Sequence, residues 1–183
     1  SHGLLVVGGE VTTRAVLDYE KIARDIYNEI GHKDPLKINV HIAQQSPDIA
    51  QGVDTGGAGD QGIMYGYATD ETKEYLPSAV VKVHNLARGL ERLRREDPRF
   101  SWLKPDGKTQ LTVSENKVVT VLVSTQHDAG IDQQTIRDLL IEHLIIPELG
   151  DISGVEILTN PTGLFTIGGF EADAGLTGRK IMV

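Results

Sequence analysis

Three stretches of the chain carry hydrophobic residues at the spacing of an amphipathic helix. Apolar side chains recur every three or four positions, so each stretch can present one apolar face to a core. The first stripe comprises Ile22, Ala23, Ile26, Tyr27 and Ile30, the second Val80, Val83, Leu86, Ala87, Leu90 and Leu93, and the third Ile136, Leu139, Leu140, His143 and Leu144. We predict a helix over each. His143 on the third is more typical of a half-buried helix residue than of a metal ligand.

Capping and breaking residues mark where these helices should begin and end. Asp18 is placed to cap the first helix, and Gly31 should end it. Pro77-Ser78 opens the second helix and Pro98 breaks it, because proline suits a first turn but not a helix interior. Pro147 marks the end of the third helix.

Shorter segments either alternate apolar and polar residues or form brief apolar runs, which are the patterns of strands. The predicted strands are Leu4 to Val7, Ile38 to Ile42, Ile63 to Ala68, Thr109 to Val113, Val118 to Ser124 and Val155 to Leu158. The first should stop at a Gly8-Gly9 turn, leaving Glu10 just past it. The fourth and fifth flank a four-residue turn and should form a hairpin. Because helices mix with hairpin-joined strands, we predict an α+β fold with helices packed on one face of mostly antiparallel sheets.

The segment from Gln51 through Gly62 holds five glycines in twelve residues, and the second predicted strand leads into it. Such a backbone can reach positive φ and approach a ligand closely. The segment is longer than a simple connection requires, so we interpret it as a functional loop. A mobile linker without chemistry is the alternative interpretation.

Composition and charge narrow the class of protein. The net charge of −8 argues against a sequence-independent grip on nucleic acid, which needs a basic face. The arginines that close the second helix suit the negative end of its dipole. No apolar run is long enough to span a bilayer. The absence of cysteine fits a reducing compartment, and with no signal peptide in view we expect a cytoplasmic protein; Ser1-His2 resembles a tag remnant.

Common catalytic motifs are missing from the sequence. It contains neither a Walker phosphate loop, nor a dinucleotide fingerprint, nor a Gly-x-Ser-x-Gly elbow, and its histidines lack the spacing of a zinc site. What remains is a set of charged residues in or near glycine-rich turns: Glu10, Asp60, Asp106, Lys108, Asp173, Arg179 and Lys180. Carboxylates of this kind can face ammonium groups, ribose hydroxyls or a metal, and the cations can face phosphates. Each residue taken alone also fits a solvated surface.

A series of motifs running through nearly the whole chain resembles the S-adenosylmethionine synthetase (methionine adenosyltransferase) family. They are Gly8-Gly-Glu-Val-Thr-Thr13, Ser46-Pro-Asp-Ile49 with Gln51-Gly-Val53, Gly57-Ala-Gly-Asp-Gln-Gly62 with Tyr65-Gly-Tyr-Ala-Thr69, Lys104-Pro-Asp-Gly-Lys-Thr-Gln110 and Gly175-Leu-Thr-Gly-Arg-Lys180. Each motif alone is weak, but their order and number make the set specific.

The resemblance implies a reaction in which methionine sulfur attacks the ribose C5′ of ATP, and the released tripolyphosphate is then hydrolysed to phosphate and pyrophosphate. It implies Mg²⁺ and K⁺ as cofactors, and homodimers or homotetramers with active sites between subunits. It implies three interleaved α+β domains. In this chain they would be residues 3–50 as part of one domain, 51–62 as a gating loop, 63–170 as a second domain and 171–183 as a strand returning to the first.

The resemblance also suggests a role for each matched residue. Glu10, Gln51 and Asp173 resemble methionine contacts, and Asp60 resembles a further active-site acid. Asp106, Gly107, Lys108, Phe165, Asp173, Arg179 and Lys180 resemble ATP contacts, with Lys108, Asp173, Arg179 and Lys180 also placed among the catalytic groups. No metal ligand is assigned in this chain, because the family's metal ligands lie mostly in segments that it lacks.

Two departures from the family pattern leave two interpretations open. Leu164 stands where the family usually carries an arginine, and segments at both ends of the family sequence have no counterpart here. In the first interpretation the chain is part of a methionine adenosyltransferase whose activity belongs to the full-length oligomer. In the second it is a non-catalytic binding or assembly module that contributes half a site to a partner chain.

Overall fold

The computed structural model describes residues 2–178, and the chain divides into two compact units. One unit is the continuous stretch Tyr67–Asp173, and the other takes the residues up to Gly66 together with those from Ala174 onward. Both the overall element order and the larger unit mix helices with strands, in agreement with the predicted α+β class. In the part of the chain described, no helix is both long and apolar enough to cross a bilayer.

The smaller unit is built on two parallel strands joined by a helix. These elements are β1 (Leu4–Val11), α1 (Tyr19–Ile30) and β2 (Lys37–Gln44). α1 begins and ends as predicted: the Asp18 side chain accepts a hydrogen bond from the Lys21 amide at 2.9 Å, and Gly31 ends the helix with φ of 106°. Of the apolar stripe on α1, only Tyr27 is buried.

The prediction that β1 ends at a Gly8-Gly9 turn is wrong. β1 pairs with β2 as far as Val11, opposite Gln44, so Glu10 lies inside the strand. A glycine pair weakens a strand without preventing its pairing, and here the eight-residue register with β2 carries β1 through both glycines.

A short helix, α2 (Pro47–Val53), takes in the first three residues of the glycine-rich segment 51–62, so the prediction that a strand leads directly into that segment is wrong. The Ser46 side chain accepts a hydrogen bond from the Asp48 amide at 3.3 Å, and Pro47 occupies the first turn. The strand predicted over Ile63 to Ala68 is absent as well. That segment pairs with no described strand, and its apolar side chains from Ile63 to Tyr65 are more than four-fifths exposed.

The larger unit contains a three-stranded sheet covered by helices. β3 (Leu103–Ser114) is antiparallel to β4 (Lys117–His127), which is parallel to β5 (Glu156–Thr159). The helices are α3 (Ser78–Glu96), α4 (Gln133–Leu140) and α5 (Ile146–Leu149), and a π-helical segment, Ile141–Ile145, connects the last two. α3 matches its predicted bounds closely, whereas the third predicted helix continues through Pro147.

Two of the three described strand pairings are parallel, so the prediction of mostly antiparallel sheets is wrong in this detail. Parallel neighbours need a crossover connection, and helices supply it between β1 and β2 and between β4 and β5. The predicted hairpin is present: Ser114 pairs with Lys117, and Glu115 and Asn116 between them both have positive φ, as a type I′ turn requires.

The core of the larger unit lies between the sheet and the helices. Val121 and Val123 of β4 are fully buried, while Leu122 and Ser124, which alternate with them, are only half-buried on the other face. Buried side chains of the helices, such as Leu86 and Ile136, belong to the same cluster. The sheet therefore buries one face under helices and leaves its other face open for polar side chains.

Candidate functional site

β3 bulges where it passes the end of β4. Leu103 pairs with His127 and Gly107 with Thr125, so the three residues between Leu103 and Gly107 lie opposite a single residue of β4. The stretch 104–108, which was predicted to precede the hairpin, is therefore part of β3. This irregularity brings Asp106 next to the loop that follows β5.

Asp106 holds that loop through its carboxylate. Its Oδ2 accepts a hydrogen bond from the backbone N–H of Gly169 at 2.7 Å. Among residues 2–178, no donor contacts Oδ1 of Asp106, and the side chain is half-buried. One carboxylate oxygen therefore fixes the loop, and the other is available to a ligand.

Gly168 is the point where three side chains of this site converge. A methyl group at Gly168 would lie 2.9 Å from the Phe165 ring, 2.9 Å from the Gln126 amide carbon and 3.0 Å from Asp106 Oδ2. Gly168 has φ of −152°, an extended conformation open to any residue. Close approach therefore favours glycine here, because any larger residue would force the aromatic ring, the amide or the carboxylate to move.

The loop is attached to β4 mainly by side chains. The regular pairing of β4 with β5 stops at Val123 and Thr159. Beyond it, the Asn160 side chain accepts a hydrogen bond from the Thr125 amide at 2.8 Å and donates to the Thr125 carbonyl at 3.2 Å. Gln126 then donates to the Thr166 carbonyl at 3.1 Å. These contacts extend the sheet by one irregular strand-like segment that carries Phe165.

Lys108 lies on the open face of the sheet, two residues along β3 from Asp106. Its neighbour Gly107 faces the other way, since a methyl group there would lie 3.2 Å from Leu90 of α3. Lys108 is exposed, and no carboxylate of the described residues pairs with it. A cation two residues along the strand from a half-buried carboxylate can bind a negatively charged part of a ligand, while Phe165 offers an aromatic face to a planar part.

The other predicted site residues lie elsewhere or cannot be placed. Glu10 in β1, Gln51 in α2 and Asp60 in the glycine-rich loop are exposed and belong to the smaller unit. Asp173 is exposed at the end of the larger unit. Arg179 and Lys180, with the rest of the last five residues of the predicted return strand 171–183, lie outside the described residues, and residues 171–178 form no strand. The structure thus brings together Asp106, Gly107 and Phe165, with Lys108 on the same strand.

Three residues of this site, Gln126, His127 and Gly168, were not predicted. His127 is buried and continues the alternation by which Val121 and Val123 of β4 face the core. A histidine at a core-facing position is therefore a sequence signal that could have indicated its role. Gly168 belongs to a pair of adjacent glycines, which is a weaker signal of the same kind. Nothing local in the sequence marks Gln126.

Beside this site, Lys104 and Asp128 form an ion pair of 2.7 Å between partly exposed side chains. Such a pair contributes little to stability, about 0 to 1 kcal/mol.

Within residues 2–178, no three carboxylate or imidazole groups converge closely enough to hold a metal ion.

Comparison with known proteins places these features in one family. Residues 55–165 match the family model described as S-adenosylmethionine synthetase, central domain. The chain is 42% identical over 199 residues to an S-adenosylmethionine synthase of Mesoplasma florum, which covers 98% of this chain and 52% of that protein. It is 44% identical over 211 residues to the S-adenosylmethionine synthase of Kosmotoga olearia, covering 99% of this chain and 53% of that protein. The chain thus spans about half the length of the curated relatives it matches.

Proposed function

Because the chain belongs to the S-adenosylmethionine synthetase family, we propose that it forms part of a methionine adenosyltransferase that makes S-adenosylmethionine from ATP and methionine. In this reaction the methionine sulfur forms a bond to ribose C5′, and the C5′–oxygen bond to the triphosphate breaks. Tripolyphosphate leaves with the bonding electrons and is hydrolysed with one water to phosphate and pyrophosphate.

The observation that carries this proposal is the convergence of Asp106 and Phe165 on Gly168, with Lys108 two residues further along β3 and free of any ion pair among residues 2–178. Phe165 offers an aromatic ring for the adenine, and Oδ1 of Asp106 can accept a hydrogen bond from an amino or hydroxyl group of the nucleoside. Lys108, and Arg179 and Lys180 further along, supply positive charge to the leaving triphosphate. A thioether needs no general base, so stabilising the leaving group is the main task of these residues.

The methionine side of the site is assigned by the family motifs. Glu10 is proposed to bind the methionine ammonium, Gln51 to contact methionine next to the gating loop, and Asp173 to serve both substrates. Asp60 is proposed as a further acid of the site. The family whose motifs assign these roles has its active sites between subunits, so we propose that the complete site forms in a homodimer or homotetramer.

We propose that Mg²⁺ and K⁺ serve this enzyme through ligands that lie mostly outside this chain. The described carboxylates do not form a cluster of metal ligands. No step is therefore assigned to a metal through the residues described above.

A second candidate function is a non-catalytic module that binds ligand or assembles with a partner chain. It is favoured by one observation, namely that Leu164 stands where the family usually carries a phosphate-directed arginine. In this case the Asp106 and Phe165 site would contribute half of an active site completed by another polypeptide.

The experiment that separates the two follows phosphate release that depends on both ATP and methionine. The full-length protein and the 183-residue chain are assayed side by side, with omission of methionine as the control. If the full-length protein turns over the substrates and the 183-residue chain does not, the first candidate is supported, and activity is confined to the full-length oligomer. Turnover by the isolated chain excludes the second candidate, and absence of turnover in both excludes the first.

A further inference from the structure

Both backbone polar groups of Phe165 are bound by one residue, His127. The backbone N–H of His127 donates to the Phe165 carbonyl at 2.9 Å. The backbone N–H of Phe165 in turn donates to Nε2 of the His127 ring at 3.2 Å. The first bond is available to almost any residue at position 127, whereas the second requires a side chain with an acceptor at the right depth.

The surroundings of His127 fix which ring nitrogen carries the proton. Nδ1 lies 2.9 Å from the Asp128 carbonyl, which can only accept, so Nδ1 is the donor. Nε2 is then the acceptor of the neutral ring, and the Gln133 amide, 3.1 Å away, also donates to it. His127 is 1% exposed, so its ring cannot turn away without leaving these groups unpaired.

Side-chain contacts matter at this point because the regular ladder has already ended. β5 stops at Thr159, and Asn160 uses its side chain to occupy the backbone groups of Thr125. The next bonds between β4 and the loop are the side-chain bond from Gln126 to the Thr166 carbonyl and the two bonds of His127 with Phe165. At Phe165 one backbone bond and one imidazole bond therefore replace continuous strand pairing.

We propose that His127 is a positioning residue whose neutral imidazole sets where Phe165 lies in the nucleotide site. The inference rests on the proposed function, in which Phe165 lies beside the adenine. His127 does not touch ATP itself and acts only through the Phe165 backbone. Its loss should weaken ATP binding while leaving the chemical step largely intact.

Two substitutions separate the acceptor from the rest of the ring. His127→Gln can place its Oε1 near the position of Nε2 and so keep an acceptor for the Phe165 amide. His127→Asn can keep a donor near Nδ1 for the Asp128 carbonyl but does not reach the Phe165 amide. His84→Asn is the matched control, since His84 is exposed on α3 and contributes to no described contact of the site.

The first measurement is hydrogen exchange at the Phe165 amide of the full-length protein without substrate, and the second is steady-state kinetics. We expect His127→Asn to speed Phe165 exchange and to raise KM for ATP about tenfold, the scale of one lost buried hydrogen bond, with kcat within about threefold of wild type. His127→Gln should restore both within about threefold, and His84→Asn should change neither.

Wild-type exchange and KM in His127→Asn would overturn the inference, and so would a loss of kcat without a change in KM. If the Asn variant does not fold, the Gln variant decides: slow Phe165 exchange with near wild-type KM supports the inference, and fast exchange overturns it. A wild-type protein that does not bind ATP would refute the proposed function instead. The exchange measurement would then still test the His127 contact by itself.

Discussion

Asp106 and Gly169 are separated by 63 residues in the sequence and joined by a hydrogen bond of 2.7 Å. The bond runs from the bulge of β3 to the loop after β5, so it fixes the two sides of the proposed nucleotide site relative to each other. One carboxylate oxygen makes this bond and stabilises the fold, whereas the other meets no described donor and can bind a ligand. The two oxygens of Asp106 therefore have different roles.

Substitutions of Asp106 should separate its contribution to folding stability from its contribution to ATP binding. Asp106→Asn can still accept from Gly169 through its amide oxygen, so its folding stability should stay within about 1 kcal/mol of wild type while ATP binding weakens. Asp106→Ala loses the bond as well and should lose about 1–3 kcal/mol of stability. Urea unfolding and ATP titration measure the two effects, with the exposed Asp70→Asn as control. Equal ATP affinity in wild type and Asp106→Asn would contradict the assigned role.

Gly168→Ala should damage the site by crowding. The added methyl would lie within 3.0 Å of the Phe165 ring, the Gln126 amide and the Asp106 carboxylate, which must then move apart. We expect a loss of about 1–3 kcal/mol in stability together with weaker ATP binding. Gly130→Ala is the matched control, because a methyl group there meets nothing within 4 Å. If both variants behave alike, the convergence on Gly168 has no importance for binding.

Lys108→Met should remove charge without disturbing the fold. Lys108 is exposed and forms no described ion pair, so stability should change by no more than about 0.5 kcal/mol. If Lys108 stabilises the leaving triphosphate, kcat/KM for ATP should fall about a hundredfold or more, the scale of losing one aimed charge in an active site. Lys117→Met, at the exposed start of β4, serves as the control for removing a lysine from the same hairpin. A kcat/KM near that of wild type would refute the role.

Leu164→Arg tests the departure from the family pattern. Leu164 is 74% exposed, so replacing it removes little packing. It directly precedes Phe165, and an arginine there would add a cation beside the nucleotide site. We expect tighter ATP binding or faster turnover in the full-length protein, measured as kcat and KM for ATP. Unchanged kcat and KM would show that neither ATP binding nor turnover depends on a cation at this position.

The lowered pKa of Asp97 predicts how the folding stability of the protein changes with pH. Arg99 donates to the Asp97 carboxylate at 2.6 Å, and this hydrogen bond lowers the pKa of Asp97 from 3.8 to about 2. Since the folded pKa is the lower one, ionised Asp97 stabilises the fold fully above pH 3.8, and the contribution is lost as pH falls through about 2. Asp97→Asn should therefore be less stable than wild type at pH 7, and the difference should vanish near pH 2. Urea unfolding across this range checks it, and a difference that persists at pH 2 would contradict it.

Local signals explain which elements the sequence predicts. α1 and α3 follow from apolar stripes with caps and breakers next to them, such as Asp18, Gly31 and Pro98. The extension of β1 through its glycines was missed because the parallel partner β2 decides it. α2 was missed although Ser46-Pro47 is a readable start signal. Where a distant strand supplies the pairing, periodicity alone cannot locate the boundary.

The same limit applies to the site. The family resemblance assigns Asp106, Lys108 and Phe165 to one ATP site, but nothing local in the sequence relates the motif around Asp106 to Phe165. The contacts that unite them involve Gly168, Gln126 and His127, of which only His127, at a core-facing position, stands out in the sequence. A close approach of backbone and side chains becomes visible only once the loop after β5 lies against β3.

The division of the chain into units has a consequence for the order of events on the ribosome. The stretch Tyr67–Asp173 is uninterrupted and contains every member of its own core, so it can collapse as soon as the loop after β5 has emerged. The flanking unit draws on chain synthesised both before and after that stretch. The middle of this polypeptide is therefore able to reach its native form during translation, before the residues beyond Asp173 have been made.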